Sequence, residues 1–270
     1  MIRHIYAISA MTVLEGLKNR AILGLLFLVC AAGACSMVVV PMFAFEQSKV
    51  LLDLSFSFIQ IAGLSIIFFL AVTMVAQDIH QRSACTLLAG PINRWEYLTG
   101  RFIGLAAVLL IVMGVLFFFT SGLGLWALVK FTPAPLPRNF SITLLVIVFL
   151  MTYLSYLLLL AISFFFAVVT TNMYLAMLLT FASYIIGQSF ETIIKIILQR
   201  EFVKLDGLYV FFLQILSWIV PNFRVFDLKT SILYGLPLES ILITQRSLYG
   251  LAYIFFLVIS TCLIFRKRDI

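Results

Sequence analysis

The sequence predicts an all-α polytopic membrane protein with six transmembrane helices. Three observations carry the prediction. The chain of 270 residues is 64% hydrophobic and 11% charged, its mean hydropathy is +1.18, and its apolar residues gather in long uncharged runs. Soluble domains hold roughly 45–50% apolar and about 25% charged residues, whereas a spanning helix takes about 20 consecutive apolar residues. A transmembrane β-barrel would need roughly 10-residue segments of alternating polarity, and the stretches Leu144 to Leu150 and Leu157 to Val169 are almost wholly apolar.

The elements follow in chain order. Residues 1–20, set out at 100° per residue, place Ile2, Ile5, Tyr6, Val13 and Leu17 on one side and His4, Glu15 and Lys18 on the other, which predicts an N-terminal amphipathic interfacial helix. Spans are predicted at 21–45, 54–77 and 102–129. The uncharged run from Asn139 to Phe190 is long enough for two, and Thr170-Thr171-Asn172, residues that favour caps and turns, divides it into 140–169 and 173–190. The sixth span is 247–265. Before it, 191–246 reads as an extracytoplasmic helical segment, in which the apolar stretch 207–223, with Tyr209 and Trp218 and closed by Pro221-Asn222, is marginal for crossing and is predicted to re-enter or lie at the outer interface. The first apolar run outlasts the roughly 7–15 residue core of a cleavable signal, so the first span is expected to be retained.

Charge sets the orientation. Arg3, Lys18, Arg20, Arg82, Arg94, Arg101, Arg266, Lys267 and Arg268 fall on one side of the predicted spans, and the short loops of the other side hold Lys49, Lys130 and Arg138. Basic residues favour the cytosolic side of short loops, so both termini and the 78–101 loop are expected in the cytosol. The net charge of +7 is therefore a topology signal, and no basic patch interleaved with aromatics points to nucleic acid. Cys30, Cys35 and Cys262 lie in predicted spans and Cys85 in a cytosolic loop, a pattern that suggests neither a disulfide framework nor a zinc site.

The chemistry that is missing narrows the function. No Gly-x-x-x-x-Gly-Lys-Ser/Thr phosphate loop occurs. The long uncharged runs offer no ionisable relay for a proton- or sodium-coupled carrier. His4 and His80 cannot supply a metalloprotease, and Glu191 and Glu201, with no histidine beside them, are a poor basis for a lipid-processing enzyme. No catalytic, cofactor-binding or metal residue is expected, and the chain is not expected to be an enzyme. What remains is a polar island, Asp78-Ile-His-Gln-Arg82 through Arg94-Trp-Glu96 to Gly100-Arg101, between two spans. Such an island suits a docking surface for a partner.

The island as Asp78-Ile79-x-x-Arg82-Ser83-x-x-Thr86-Leu87-Leu88 and Pro91-x-x-Arg94-x-Glu96-Tyr97-Leu98-x-Gly100-Arg101 resembles the coupling segment of ABC-2 class ABC exporter permeases. Pro221-Asn222-Phe223-Arg224-Val225-Phe226-Asp227 and the ending Phe265-Arg266-Lys267-Arg268-Asp269 point the same way, and the similarity, strongest to the branch linked to copper-enzyme maturation, covers nearly the whole chain. The resemblance implies a permease subunit in a bacterial inner membrane, paired as a homodimer or heterodimer with a second copy. Separate ATP-binding-cassette subunits would bind ATP and Mg, and a cytosolic coupling helix would contact them through Asp78, Arg82, Arg94, Trp95 and Glu96. Helices two and five would approach the dimer axis, making Ser57, Gln60, Thr180, Ser183, Tyr184 and Gln188 the expected lining of the translocation path. The uncharged interior suits a lipid-like or amphiphilic cargo, with membrane lipid as the surrounding partner. The other reading is a non-transporting membrane scaffold or assembly factor that recruits a cytosolic partner through the same loop.

Overall fold

A computed structural model describes residues 2–42, 46–80, 93–122, 124–126, 141–170, 172–199, 221–235 and 240–267. Among these residues every regular element is helical. The long helices are α1 (Ile2–Lys18), α2 (Arg20–Val39), α3 (Gln47–Ile66) and α4 (Thr73–His80). They continue with α5 (Arg94–Phe117), α6 (Ile142–Val169) and α7 (Met173–Gln199). The short α8 (Lys229–Tyr234) precedes α9 (Ser240–Lys267). A π-helical turn, Ile67–Val72, joins α3 to α4, and another, Phe118–Gly122, extends α5.

By length and composition four stretches can cross a membrane: Gln47–Ala76, Arg94–Trp126, Ile142–Val169 and Ser240–Arg266. The pair α1 and α2, bent by 58°, gives a fifth if counted as one span, and Met173–Ser189 is a shorter apolar helix. The described residues thus give four or five spans where the sequence predicted six. The helices also overrun the uncharged runs. The stretch beginning at Gln47 starts ahead of Lys49 and Asp53, and α5 starts at Arg94 within the polar island. Absence of charge marks where hydrocarbon would lie, not where backbone hydrogen bonding stops.

The core forms around α6, whose Val148, Leu158, Leu159, Leu160, Ala161, Phe164 and Ala167 are fully buried against α5, α7 and α9. Close approach, not bulk, holds α1. On α5, Gly100-x-x-x-Gly104 presents a surface without side chains. A Cβ on Gly100 would stand 2.9 Å from Ile8, and one on Gly104 would stand 2.6 Å from Thr12 Cβ and 2.9 Å from the Ser9 carbonyl. Small residues spaced in this way let two helix backbones approach within a membrane bundle. The stripe of α1 that packs is accordingly Ile8, Thr12 and Gly16, while Tyr6, from the predicted apolar side, is exposed. His4 and Glu15, from the predicted polar side, turn toward α5. A hydrophobicity wheel sees polarity and is blind to this small-residue seam.

Beyond α7, 221–235 folds back over the bundle. Phe223 and Phe226 are fully buried, with Phe223 against Gly187 and Phe226 against Gly250. Lys229 Nζ reaches Asp53 Oδ1 at 2.8 Å and Ser57 Oγ at 2.9 Å, tying this segment to the middle of α3. The apolar stretch predicted to re-enter lies, up to residue 220, outside the described residues.

Candidate functional site

Both ends of the polar island converge at one end of the bundle. The middle of the loop, residues 81–92 with Arg82, lies outside the described residues, as does the coupling helix expected there. Its flanks do not: α4 ends at His80 and α5 begins at Arg94.

Arg101 is the hub of those flanks. Its side chain is 7% exposed; Nη2 stands 2.5 Å from Asp78 Oδ2 and Nη1 stands 2.7 Å from Glu15 Oε2, with Asp78 16% and Glu15 50% exposed. Nη1 also donates to Thr12 Oγ1 at 3.2 Å, and the Tyr97 hydroxyl donates to Asp78 Oδ2 at 2.6 Å. A buried guanidinium is tolerated only when paired and hydrogen-bonded, and here the partners come from two other helices, α1 and α4. Arg101 Nε is nonetheless buried without a hydrogen-bond partner. The Tyr97 ring continues the chain of contacts, stacking on Phe265 of α9 at 6.5 Å between centroids.

A second set of contacts fixes the first turn of α5. Glu96, 3% exposed, accepts from the Asn93 backbone N–H at 3.3 Å and stands 3.3 Å from His4 Nδ1. Its carboxylate therefore occupies the start of the helix, where unsatisfied N–H groups and the helix dipole favour negative charge. Arg94 Nη1 donates to the carbonyls of Phe265 and Arg266, at 3.4 Å and 3.3 Å, and so caps the last turn of α9. Trp95, 40% exposed, faces outward.

The predicted partner-contact residues therefore divide. Within this chain Asp78 and Glu96 are turned inward onto α1 and α5, Arg94 is half-buried against α9, and Trp95 is open. Sequence reasoning missed Arg101, which it placed only at the end of the polar island and among the cytosolic basic residues, and with it the roles of His4, Thr12 and Glu15. A signal was present: Arg101 sits inside the Gly100 to Gly104 seam, so whatever packs on that seam must lie beside its guanidinium.

Within this chain Ser57, Thr180, Tyr184 and Gln188, all predicted to line a path, have contacts of their own. Thr180 is fully buried and its hydroxyl donates to the Ala176 carbonyl of its own helix at 2.7 Å. Tyr184 packs on Phe223 at 5.7 Å and receives a hydrogen bond from Gln188 Nε2 at 3.5 Å; Ser183 is half-buried. Ser57 is engaged by Lys229 midway along α3, with half-buried Gln60 one turn further on. The stretch that follows α3 meets α7 through an apolar contact, Phe68 on Phe181 at 5.7 Å.

The family model for ABC-2 family transporter proteins matches residues 10–270. The chain belongs to the ABC-2 transporter family. The match takes in the polar island, the 221–235 segment and α9, which are the stretches that carried the resemblance in the sequence. It is to the family as a whole and does not select the branch linked to copper-enzyme maturation. No curated relative matches the chain. Membership makes this an integral membrane protein and a transmembrane component that is not itself catalytic. ABC-2 permeases usually pair with ABC ATPase subunits.

Proposed function

We propose that this ABC-2 family protein is the permease subunit of an exporter, driven by a separate ATP-binding-cassette ATPase that docks on the 78–101 loop. In this reading the chain crosses a bacterial inner membrane six times with both termini in the cytosol, α2 and α7 completing the set of spans, and pairs with a second permease copy. The observation that carries it is the convergence of α1, α4, α5 and the end of α9 on the two flanks of that one loop. Movement of a docked ATPase can shift the membrane helices only through a contact whose affinity differs between two states. A loop whose flanks are tied into four helices offers such a contact. Trp95 and Arg82 would meet the partner; Arg94, Asp78 and Glu96 would hold the flanks in shape.

The native Cys85 within the loop allows a direct test. With Cys30, Cys35 and Cys262 replaced by serine, a photoactivatable cross-linker on Cys85 is expected to trap an ATP-binding-cassette ATPase covalently. An ATPase that co-purifies yet never cross-links from Cys85 would move the docking surface elsewhere. The scaffold reading predicts that substitutions at Thr180, Tyr184 or Gln188 are silent while loop substitutions such as Trp95→Ala still abolish complex formation.

A further inference from the structure

We propose that an anionic phospholipid of the cytosolic leaflet occupies a defined seat between the start of α5 and the end of α9. A cleft of about 520 Å³ opens there, lined by Asn93, Arg94, Trp95, Cys262, Leu263 and Arg266. Two guanidinium groups and an indole thus stand over an apolar floor. Arg266 is exposed and has no acidic partner among the described residues.

The second observation is the surface that leads into the cleft. Leu251, Phe255, Ile259 and Leu263 recur every fourth residue along α9, and all four are strongly exposed; Arg266 follows one turn beyond Leu263 on the same side. This is an apolar track that ends in a cation. Its chemistry matches an amphiphile with acyl chains along α9 and a phosphate at Arg266 and Arg94, beside the Trp95 ring. Aromatic residues with a polar edge favour the headgroup level of a bilayer, and guanidinium groups bind phosphate oxygens through charge-assisted hydrogen bonds. Both flanking helices belong to stretches long and apolar enough to span, which sets the cleft at the end of the hydrocarbon zone. The seat goes beyond the transport reading: it is a site for a resident lipid, independent of the cargo.

The test uses the full-length protein purified in detergent. Native mass spectrometry after addition of dioleoyl-phosphatidylglycerol or dioleoyl-phosphatidylcholine counts the lipid that stays bound, and thermal unfolding without lipid checks that each variant is folded. Wild type is expected to retain phosphatidylglycerol in preference to phosphatidylcholine. Arg266→Gln should weaken that retention roughly tenfold or more, the loss of one charged hydrogen-bonding group. Leu263→Glu, which sets a like charge over the seat, should do the same, and Arg20→Gln, an exposed cation outside the cleft, should not. Equal retention of both lipids, or unchanged retention in both cleft variants, overturns the proposal. So does displacement of the lipid by inorganic phosphate alone, or an Arg266→Gln protein that keeps its lipid but loses its co-purifying ATPase, which would make the cleft a protein-docking surface.

Discussion

Replacing Arg101 with leucine tests the hub directly. The substitution keeps bulk in the seam between α1 and α5 but takes the guanidinium away from Asp78, 16% exposed, and leaves Glu15 without that cation. Breaking a buried pair by removing one partner costs about 3–5 kcal/mol, because the other charge stays desolvated. That corresponds to roughly two to three and a half orders of magnitude in the folded-to-unfolded ratio. Glu15→Ala cuts the same network at its half-exposed end, where an ion pair contributes about 0.2–1 kcal/mol. Asp78→Asn should fall between them, since Arg101 keeps Glu15 and Thr12. The assay is unfolding in mixed micelles of rising SDS fraction, followed by helical circular dichroism. The order Arg101→Leu, then Asp78→Asn, then Glu15→Ala is the expected one. An Arg101→Leu protein no less stable than Glu15→Ala would show that the guanidinium is solvated and that no hub exists.

Other perturbations probe the remaining joints. Gly104→Ala forces a methyl group to within 2.6 Å of Thr12 Cβ, so α1 must back away, at a cost of about 1–3 kcal/mol for overpacking; Gly114→Ala, which meets nothing within 4 Å, is the control expected to be neutral or slightly stabilising, and the same micelle assay reads both. Lys229→Met releases the 221–235 segment from Asp53 and Ser57. Because Asp53 is 53% exposed, global stability should fall by under about 1 kcal/mol, while hydrogen exchange in 223–235 rises.

How far the sequence reached depends on the kind of information each feature needs. Helicity and membrane residence were legible because composition and run length report them without any knowledge of neighbours. Span number was less so. Helix α7 carries Glu191 and Lys195 within its length, and α1 bends into α2 at Asn19, so charge-free runs and helices do not coincide. The island at 78–101 was legible as a polar interruption, and the family match covers it. The direction in which its side chains point was not. Glu96 is a helix-start carboxylate held by Asn93 and His4, and Arg101 is a three-helix junction, because α1 returns along α5 from ninety residues away. Periodicity within one segment carries no trace of such a partner. Lys229 and Asp53 met the same difficulty, since each read alone is an ordinary loop charge.

The central claim is that a separate ATPase docks on this loop, and co-purification tests it most directly. The detergent-solubilised protein is pulled down with its candidate ATPase as wild type, Arg94→Glu and Trp95→Ala, and ATP turnover of the captured material is measured. The account predicts a stoichiometric ATPase with wild type and its loss from both variants, with each permease still folded. Absence of any ATPase from the wild-type complex under conditions that preserve the fold would contradict the exporter reading and leave the scaffold in its place.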